Sequence, residues 1–176
     1  RDSSKTMKNI LSILIFLFLI TPFNAQEIII KSDESIIEFN YVEEGALGTI
    51  KGVEGKIKFD LLNLNNSSFE ANANIASINT SNKTRDKHLN APDYFHTEKY
   101  PAIKFKSDSI SNDGDKYLLY GKMTIKDITK SEQITFTFEE NVFNGSCIIF
   151  SNDYEIKKQK IRDASKIIVK IKVPVD

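Results

Sequence analysis

The chain is poor in the residues that most reaction chemistry and most covalent stapling require. It has one cysteine, Cys147, and two histidines, His88 and His96, in 176 residues. A single cysteine excludes an internal disulfide, so the fold must hold by packing alone. Cys147 sits between Gly145-Ser146 and Ile148-Ile149-Phe150, the setting of a small buried hydrophobe in a strand rather than of a reactive thiol. Two histidines fall short of the three protein ligands of a catalytic zinc site. Asp93 or Glu98 could complete a set, but no H-E-x-x-H spacing organises it, and no metal or other cofactor is expected. There is no G-x-S-x-G elbow around Ser77, Ser107 or Ser109, and no G-x-G-x-x-G or phosphate loop. The adjacent pair Glu139-Glu140 would point to opposite faces of a strand, which is wrong for shared acid/base work. Charge of one sign is also lacking: 24 basic residues balance 24 acidic ones, which gives no pull toward nucleic acid or an anionic membrane.

The one long apolar run, Ile10 to Ile20, is broken only by Ser12 and Asn-free up to Thr21. It is too short for a bilayer core, which needs ~20 residues. Lys8 precedes it, and Thr21-Pro22-Phe23-Asn24-Ala25 follows with a small residue at its end. A charged start, a short apolar core and a small-residue end make a secretory signal peptide. The expected organisation is therefore upstream residues plus a cleaved leader over 1–25, with the cut after Ala25, and a single domain over 26–176. A retained membrane anchor is the alternative. No cysteine follows the run, which argues against a lipid-anchored lipoprotein. The expected location is the periplasm or the outside of the cell. The Asn-, Ile- and Lys-heavy composition looks bacterial, so the sequons at Asn66 and Asn82 are discounted.

What is present is alternation. Ile37, Phe39 and Tyr41 alternate with Glu38 and Asn40; Ile57 and Phe59 follow Gly55; Phe69, Ala71, Ala73 and Ile75 alternate with Glu70, Asn72 and Asn74. Ile103 and Phe105, then Lys116 to Ile125, then Ile134, Phe136 and Phe138, and finally Ile167, Val169, Ile171 and Val173 repeat the pattern. Period two places one face in a core and one in water. Glu43 to Gly48 reads as a loop, and Asn63 to Ser67, Asn112 to Asp115, Lys126-Asp127 and Asn144-Gly145 read as turns. Many short alternating strands between turns indicate an all-β antiparallel sandwich or barrel. Closure would remove exposed edges. One helix is expected, over 84–90, capped by Asn82 and ended by Ala91-Pro92. It is too short to stand without packing.

Several fragments occur in one order. They are Gly52-Val53-Glu54-Gly55-Lys56-Ile57-Lys58-Phe59-Asp60, Ser77-Ile78-Asn79-Thr80, Arg85-Asp86-Lys87-His88-Leu89 and Tyr94-Phe95. Lys99-Tyr100-Pro101, Phe105-Lys106-Ser107 and Gly121-Lys122-Met123-Thr124-Ile125-Lys126-Asp127-Ile128-Thr129-Lys130 follow. Together they resemble the signature of the YceI-like family of secreted lipid-binding β-barrels, over essentially all of 26–176 and most closely over 75–130. The resemblance implies a lipocalin-like antiparallel barrel of about eight strands, whose apolar interior holds an isoprenoid or other amphiphilic lipid, without catalysis. Departures at Asn40 to Glu44, Val53, Asp127 and Ser151 to Glu155 bear on the ligand more than on the fold.

The expected ligand-binding residues are the aromatic set Phe39, Phe59, Phe69, Phe95, Phe105, Tyr120, Phe136 and Phe138, with Arg85. Arg85 would either hold an anionic head group or, with Asp86, pin its segment to the barrel. The aromatic residues could equally pack a solid core, in which case the domain is a stress or surface interaction module without a small ligand. An enzyme built on His88, His96 and neighbouring carboxylates is a third reading. A lipid is the expected partner; nucleic acid and a stable membrane span of the mature chain are not expected, and a homodimer is left open.

Overall fold

The computed structural model describes residues 27–176; the apolar run and the leader assigned from it lie outside the described residues. In chain order the elements are β1 (Glu27–Ile28), β2 (Ile36–Tyr41), β3 (Ala46–Lys51), β4 (Val53–Lys58), β5 (Ser68–Asn74), α1 (Lys83–Asn90), β6 (Ala102–Asp113), β7 (Lys116–Ile125), β8 (Ile128–Glu139), β9 (Val142–Phe150) and β10 (Lys166–Pro174). All ten strands form one antiparallel sheet, ordered β1-β4-β5-β6-β7-β8-β9-β10-β2-β3. The sheet curls into a half-barrel with one face inside.

The chain itself covers both edges. Beyond β1, Ile30 bridges Val175, and the Lys31 amide donates to the Pro174 carbonyl at 2.9 Å. At the other edge Thr49 and Asn79 exchange two backbone hydrogen bonds of 2.9 Å, and Ser77 Oγ accepts from the Lys51 amide at 2.8 Å. Edge strands with open N–H and C=O groups invite pairing with other chains, and these contacts occupy part of each edge.

Alternation decides the faces as the sequence predicts. In β7 the buried positions are Leu119, Gly121, Met123 and Ile125, while Lys116, Tyr120 and Lys122 are exposed. Two differences from the sequence reading have local causes. Glu43 to Gly48 was expected to be loop throughout, but Ala46 onward is strand β3. Val42–Glu44 make one 3-10 turn, which Gly45 ends at φ 59°. Gly48 lies inside β3 because the Phe39 ring occupies the space where a Cβ would stand, 2.3 Å from Phe39 Cζ. The Asn144-Gly145 pair is not a turn. Both residues lie in β9, and the hairpin turns instead at Glu140 and Asn141, at φ 50° and 59°. Two consecutive left-handed residues match the twist of a two-residue hairpin.

Register sets which ends meet. The ends of β2, β5, β7 and β9 and the starts of β6, β8 and β10 gather at one end of the half-barrel. The long β5–β6 connection carrying α1 lies there. The hairpin turns at Gly114 and Glu140-Asn141 lie at the opposite end. The helix forms where expected: the Asn82 side chain accepts from the Arg85 amide at 3.0 Å, and the chain leaves the helix at Ala91, before Pro92.

Candidate ligand-binding cavity

The interior is filled at one end and open at the other. At the hairpin end six rings pack together. Phe59 is the hub, with ring centroids 5.1 Å from Tyr117, 5.6 Å from Phe136, Phe138 and Phe143, and 5.9 Å from Phe69. Most of these contacts are edge-on; Phe138 and Phe143 stack at 4.3 Å. Edge-to-face and offset geometries let the ring quadrupoles attract as well as exclude water. The next layer toward the other end includes Phe105, Leu119 and Ile134, all buried. Gly121 makes this layer close-fitting, since a Cβ there would stand 2.5 Å from Phe105 Cζ and 2.4 Å from the Lys106 carbonyl oxygen.

Toward the α1 end the inside is hollow. A cavity of about 420 Å³ opens at the α1 end. Its walls are aliphatic: Ile37 from β2, Ile103 from β6, Met123 and Ile125 from β7, Ile149 from β9 and Val169 from β10. Phe39, Tyr41, Tyr94 and Phe95 add aromatic surface. The rim is polar, with Thr80, Arg85 and His88 on the α1 side and Glu44 and Lys157 facing them from two other connections. Glu44 and Lys157 form an ion pair. An apolar hollow with few convergent polar groups at one end is what a small amphiphile requires.

The helix is fastened to this rim by a short network. Asp86 Oδ1 accepts from the Thr80 amide at 2.9 Å and from the Thr80 hydroxyl at 2.5 Å. Arg85 donates through Nε to Thr80 Oγ1 at 2.8 Å and through Nη2 to the Thr80 carbonyl at 3.0 Å. Among the described residues Arg85 enters no salt bridge. The guanidinium thus pins the segment and still has donors left at the cavity rim, since it carries five N–H groups in all.

One wall holds a buried polar pair. The β8–β9 ladder runs only from Thr135–Ser146 to Glu139–Val142. Nearer the cavity Tyr154 fills the space, fully buried, and its hydroxyl donates to Glu132 Oε1 at 2.7 Å. Burial pushes the Glu132 carboxyl above the ordinary glutamate range, with the Tyr154 hydrogen bond opposing. Burial likewise raises the Tyr154 phenol, and it pushes the Cys147 thiol, on the cavity wall, up to about 12. Cys147 is therefore a neutral thiol in an apolar wall, not a nucleophile.

The residues expected to bind a ligand are thus divided. Phe39, Phe95 and Arg85 line the cavity. Phe59, Phe69, Phe136 and Phe138 belong to the ring layer at the far end, and Phe105 is buried in the core without lining the cavity. Tyr120 points outward and is 40% exposed, because the parity of β7 that buries Gly121 turns its neighbour to solvent. Ile149, Val169, Tyr154 and Lys157 line the cavity without having been singled out; the alternation of β10 was the one signal for Val169. His88 lies on the rim, while His96 packs its ring 5.8 Å from Tyr100. Among the described residues no three His, Cys, Asp or Glu side chains cluster as a metal site would.

Comparison with known proteins places this architecture. The YceI-like domain model matches residues 29–175. A UPF0312 protein of Shewanella denitrificans is 32% identical over 120 residues, covering 65% of this chain and 63% of the relative. A UPF0312 protein of Photorhabdus laumondii is 41% identical over 83 residues, or 47% of this chain and 43% of the relative. Protein YceI of Escherichia coli O157:H7 is 36% identical over 83 residues, 47% and 44% of the two chains. The chain spans about half the length of the curated relatives it matches. Among solved structures, Burkholderia cenocepacia BcnA superposes with TM-score 0.73 at 21% identity, over 82% of this chain and 98% of BcnA. A polyisoprenoid-binding domain from Saccharophagus degradans superposes with TM-score 0.58 at 11% identity, over 84% and 95%. These superpositions show the shared fold, and the family match over nearly every described residue shows the membership: this chain belongs to the YceI-like family.

Proposed function

We propose that the protein is an exported binding protein that holds the hydrocarbon part of an isoprenoid or similar amphiphile in the cavity, with its polar end at the α1 rim. The carrying observation is the hollow itself: about 420 Å³, aliphatic walls, and charged groups confined to the rim. Each methylene moved from water into such walls gains roughly 0.8 kcal/mol, so a chain binds without directed chemistry. The polyisoprenoid-binding neighbour of the same fold supports a lipid over other apolar guests. Arg85, with donors left over and no carboxylate partner among the described residues, suits an anionic or hydroxylic head group. The apolar, neutral-thiol wall favours holding a ligand over transforming it.

The test is equilibrium binding of a fluorescent single-chain lipid by the wild type and by Ala46→Phe. Ala46 lines the cavity and is buried, so a ring there projects into empty space. Saturable binding lost in Ala46→Phe, with an unchanged far-UV spectrum, supports the reading; equal binding by both proteins sinks it. Export is tested separately by the mass of the protein recovered outside the cytoplasm, which should begin at Gln26.

A further inference from the structure

The chain as a whole carries no net charge, but its lysines and its exposed apolar residues are unevenly spread over the outside of the sheet. We propose that the outer face of β9, β10, β2 and β3 docks on an anionic lipid bilayer. Register sets Ile148, Ile168, Asn40 and Leu47 side by side in one row across these four strands. At the ordinary spacing between strands the row is about 14 Å wide. Its three apolar members, and Val42 just past the end of β2, are between 37% and 63% exposed. Parity is the cause. Cys147, Ile149, Val169 and Ala46 are buried on the inside, so their neighbours in sequence face out. Exposed apolar residues scattered singly are ordinary, whereas a run of them on one face marks a surface of association.

The charges around the row say what covers it. Lys170 stands on the next outward row, and Lys172 and Lys51 on the one after that. Lys166, paired with Phe150, stands on the mouth side. Glu38, opposite Lys170, is the one acid at the outward positions of the four strands. Among the described residues none of these four lysines enters a salt bridge. Glu43 and Asp163 lie in the neighbouring connections, past the strand ends. A second copy docked by two-fold symmetry through this face would set lysines against lysines, with only Glu38 to offset them. The outward positions also lack the Trp, Tyr and Arg that anchor most protein interfaces. An anionic bilayer suits both parts of the face. The aliphatic side chains enter the head-group boundary, and the lysine stems lie along it with their ammonium groups among the phosphates.

The face borders the cavity mouth. Tyr41 and Ala46, the chain neighbours of Val42 and Leu47, line the cavity. A protein lying on this face therefore holds its mouth beside the bilayer surface. Docking itself stands on the outer face alone and does not depend on what the cavity holds.

The experiment is titration of the protein recovered from the periplasm with two kinds of vesicle, read by co-sedimentation. One kind mixes phosphatidylglycerol with phosphatidylcholine, and the other is phosphatidylcholine alone. The wild type is compared with Lys170→Glu/Lys172→Glu, with Ile168→Asn and with Lys56→Glu/Lys104→Glu. The last makes the same charge change at exposed lysines of β4 and β6, away from the row. All five positions are exposed, so each variant should fold. The wild type should bind the mixed vesicles at least tenfold tighter than the zwitterionic ones, and added salt should weaken it. Lys170→Glu/Lys172→Glu should weaken binding at least tenfold and Ile168→Asn several-fold, while Lys56→Glu/Lys104→Glu changes it less than twofold. Equal binding to both kinds of vesicle, or equal loss in the two lysine variants, overturns the assignment. A wild type that binds neither vesicle overturns it as well, and a dimer that Ile168→Asn then breaks would give the face to a second copy. Uptake of the fluorescent lipid should survive in every variant. Uptake without docking sinks this inference alone, and docking without uptake sinks only the ligand reading.

Discussion

Removing the Tyr154 hydroxyl tests the wall beside the cavity. Tyr154 is fully buried and donates to Glu132 at 2.7 Å where the β8–β9 ladder has ended. Tyr154→Phe keeps the ring and deletes the donor, so packing hardly changes while a half-buried carboxylate loses its partner. Hydrogen bonds to charged groups contribute about 1.5–3 kcal/mol, and neutral ones about 1. The cost of Tyr154→Phe should therefore be about 2 kcal/mol where Glu132 is ionised and about half that where it is protonated. Glu132→Gln keeps an acceptor and removes the charge, and it should cost under ~1 kcal/mol. The sign of the pH dependence follows from the raised carboxyl. The folded state holds this proton more tightly than the unfolded state, so its contribution to stability falls as pH rises from the ordinary glutamate value through the folded one. Glu132→Gln should flatten that part of the profile. Urea unfolding at ~pH 5 and ~pH 8 reads all of this. With a slope of about 2 kcal/mol/M, the Tyr154→Phe midpoint at the higher pH should drop by about 1 M. A drop under about a quarter of that, or a cost independent of pH, would refute the reasoning.

Three further outcomes are expected. The Asp153 carboxyl is held below the usual aspartate range by Arg162, whose Nε donates to it at 2.9 Å. Its contribution is present above the unfolded aspartate value and lost as pH falls through the folded one, so Arg162→Ala should flatten the acid limb of the stability profile, read by urea unfolding across the acid range. Gly48→Ala should destabilise by about 1–3 kcal/mol, read by thermal melting, because its Cβ would stand 2.3 Å from Phe39 Cζ; Phe39→Leu in the same chain should recover part of the loss. Cys147 should resist Ellman's reagent at ~pH 8 in the native protein and react at once in urea, since its thiol is buried and pushed up to about 12.

Much of this molecule is written in two-residue alternation, and the parts that escape it do so for local reasons. The strand Lys116–Ile125 and the helix with its Asn82 cap stand where the residues place them. The second half of β6 does not announce itself, because Ser107 to Asp113 is mostly polar and exposed. Strand β3 hides behind two glycines, of which Gly45 turns the chain and Gly48 yields room to a neighbouring ring. The candidate site is harder still. Alternation reports which face a residue takes, not its depth along the interior. Phe39 and Phe136 have the same inward parity, yet one lines the cavity and the other sits in the packed ring layer. Depth depends on register between strands distant in sequence, such as β10 against β2 and β9. Tyr154 and Lys157 lie in the connection after β9, where no period applies.

Native mass spectrometry of the protein recovered from a bacterial periplasm, followed by solvent extraction, tests the central claim most directly. The account predicts a single non-covalent adduct that extracts as a hydrocarbon chain with a polar end and disappears in Ala46→Phe. A protein that is recovered bare, and stays bare after incubation with total lipid extract, would contradict it.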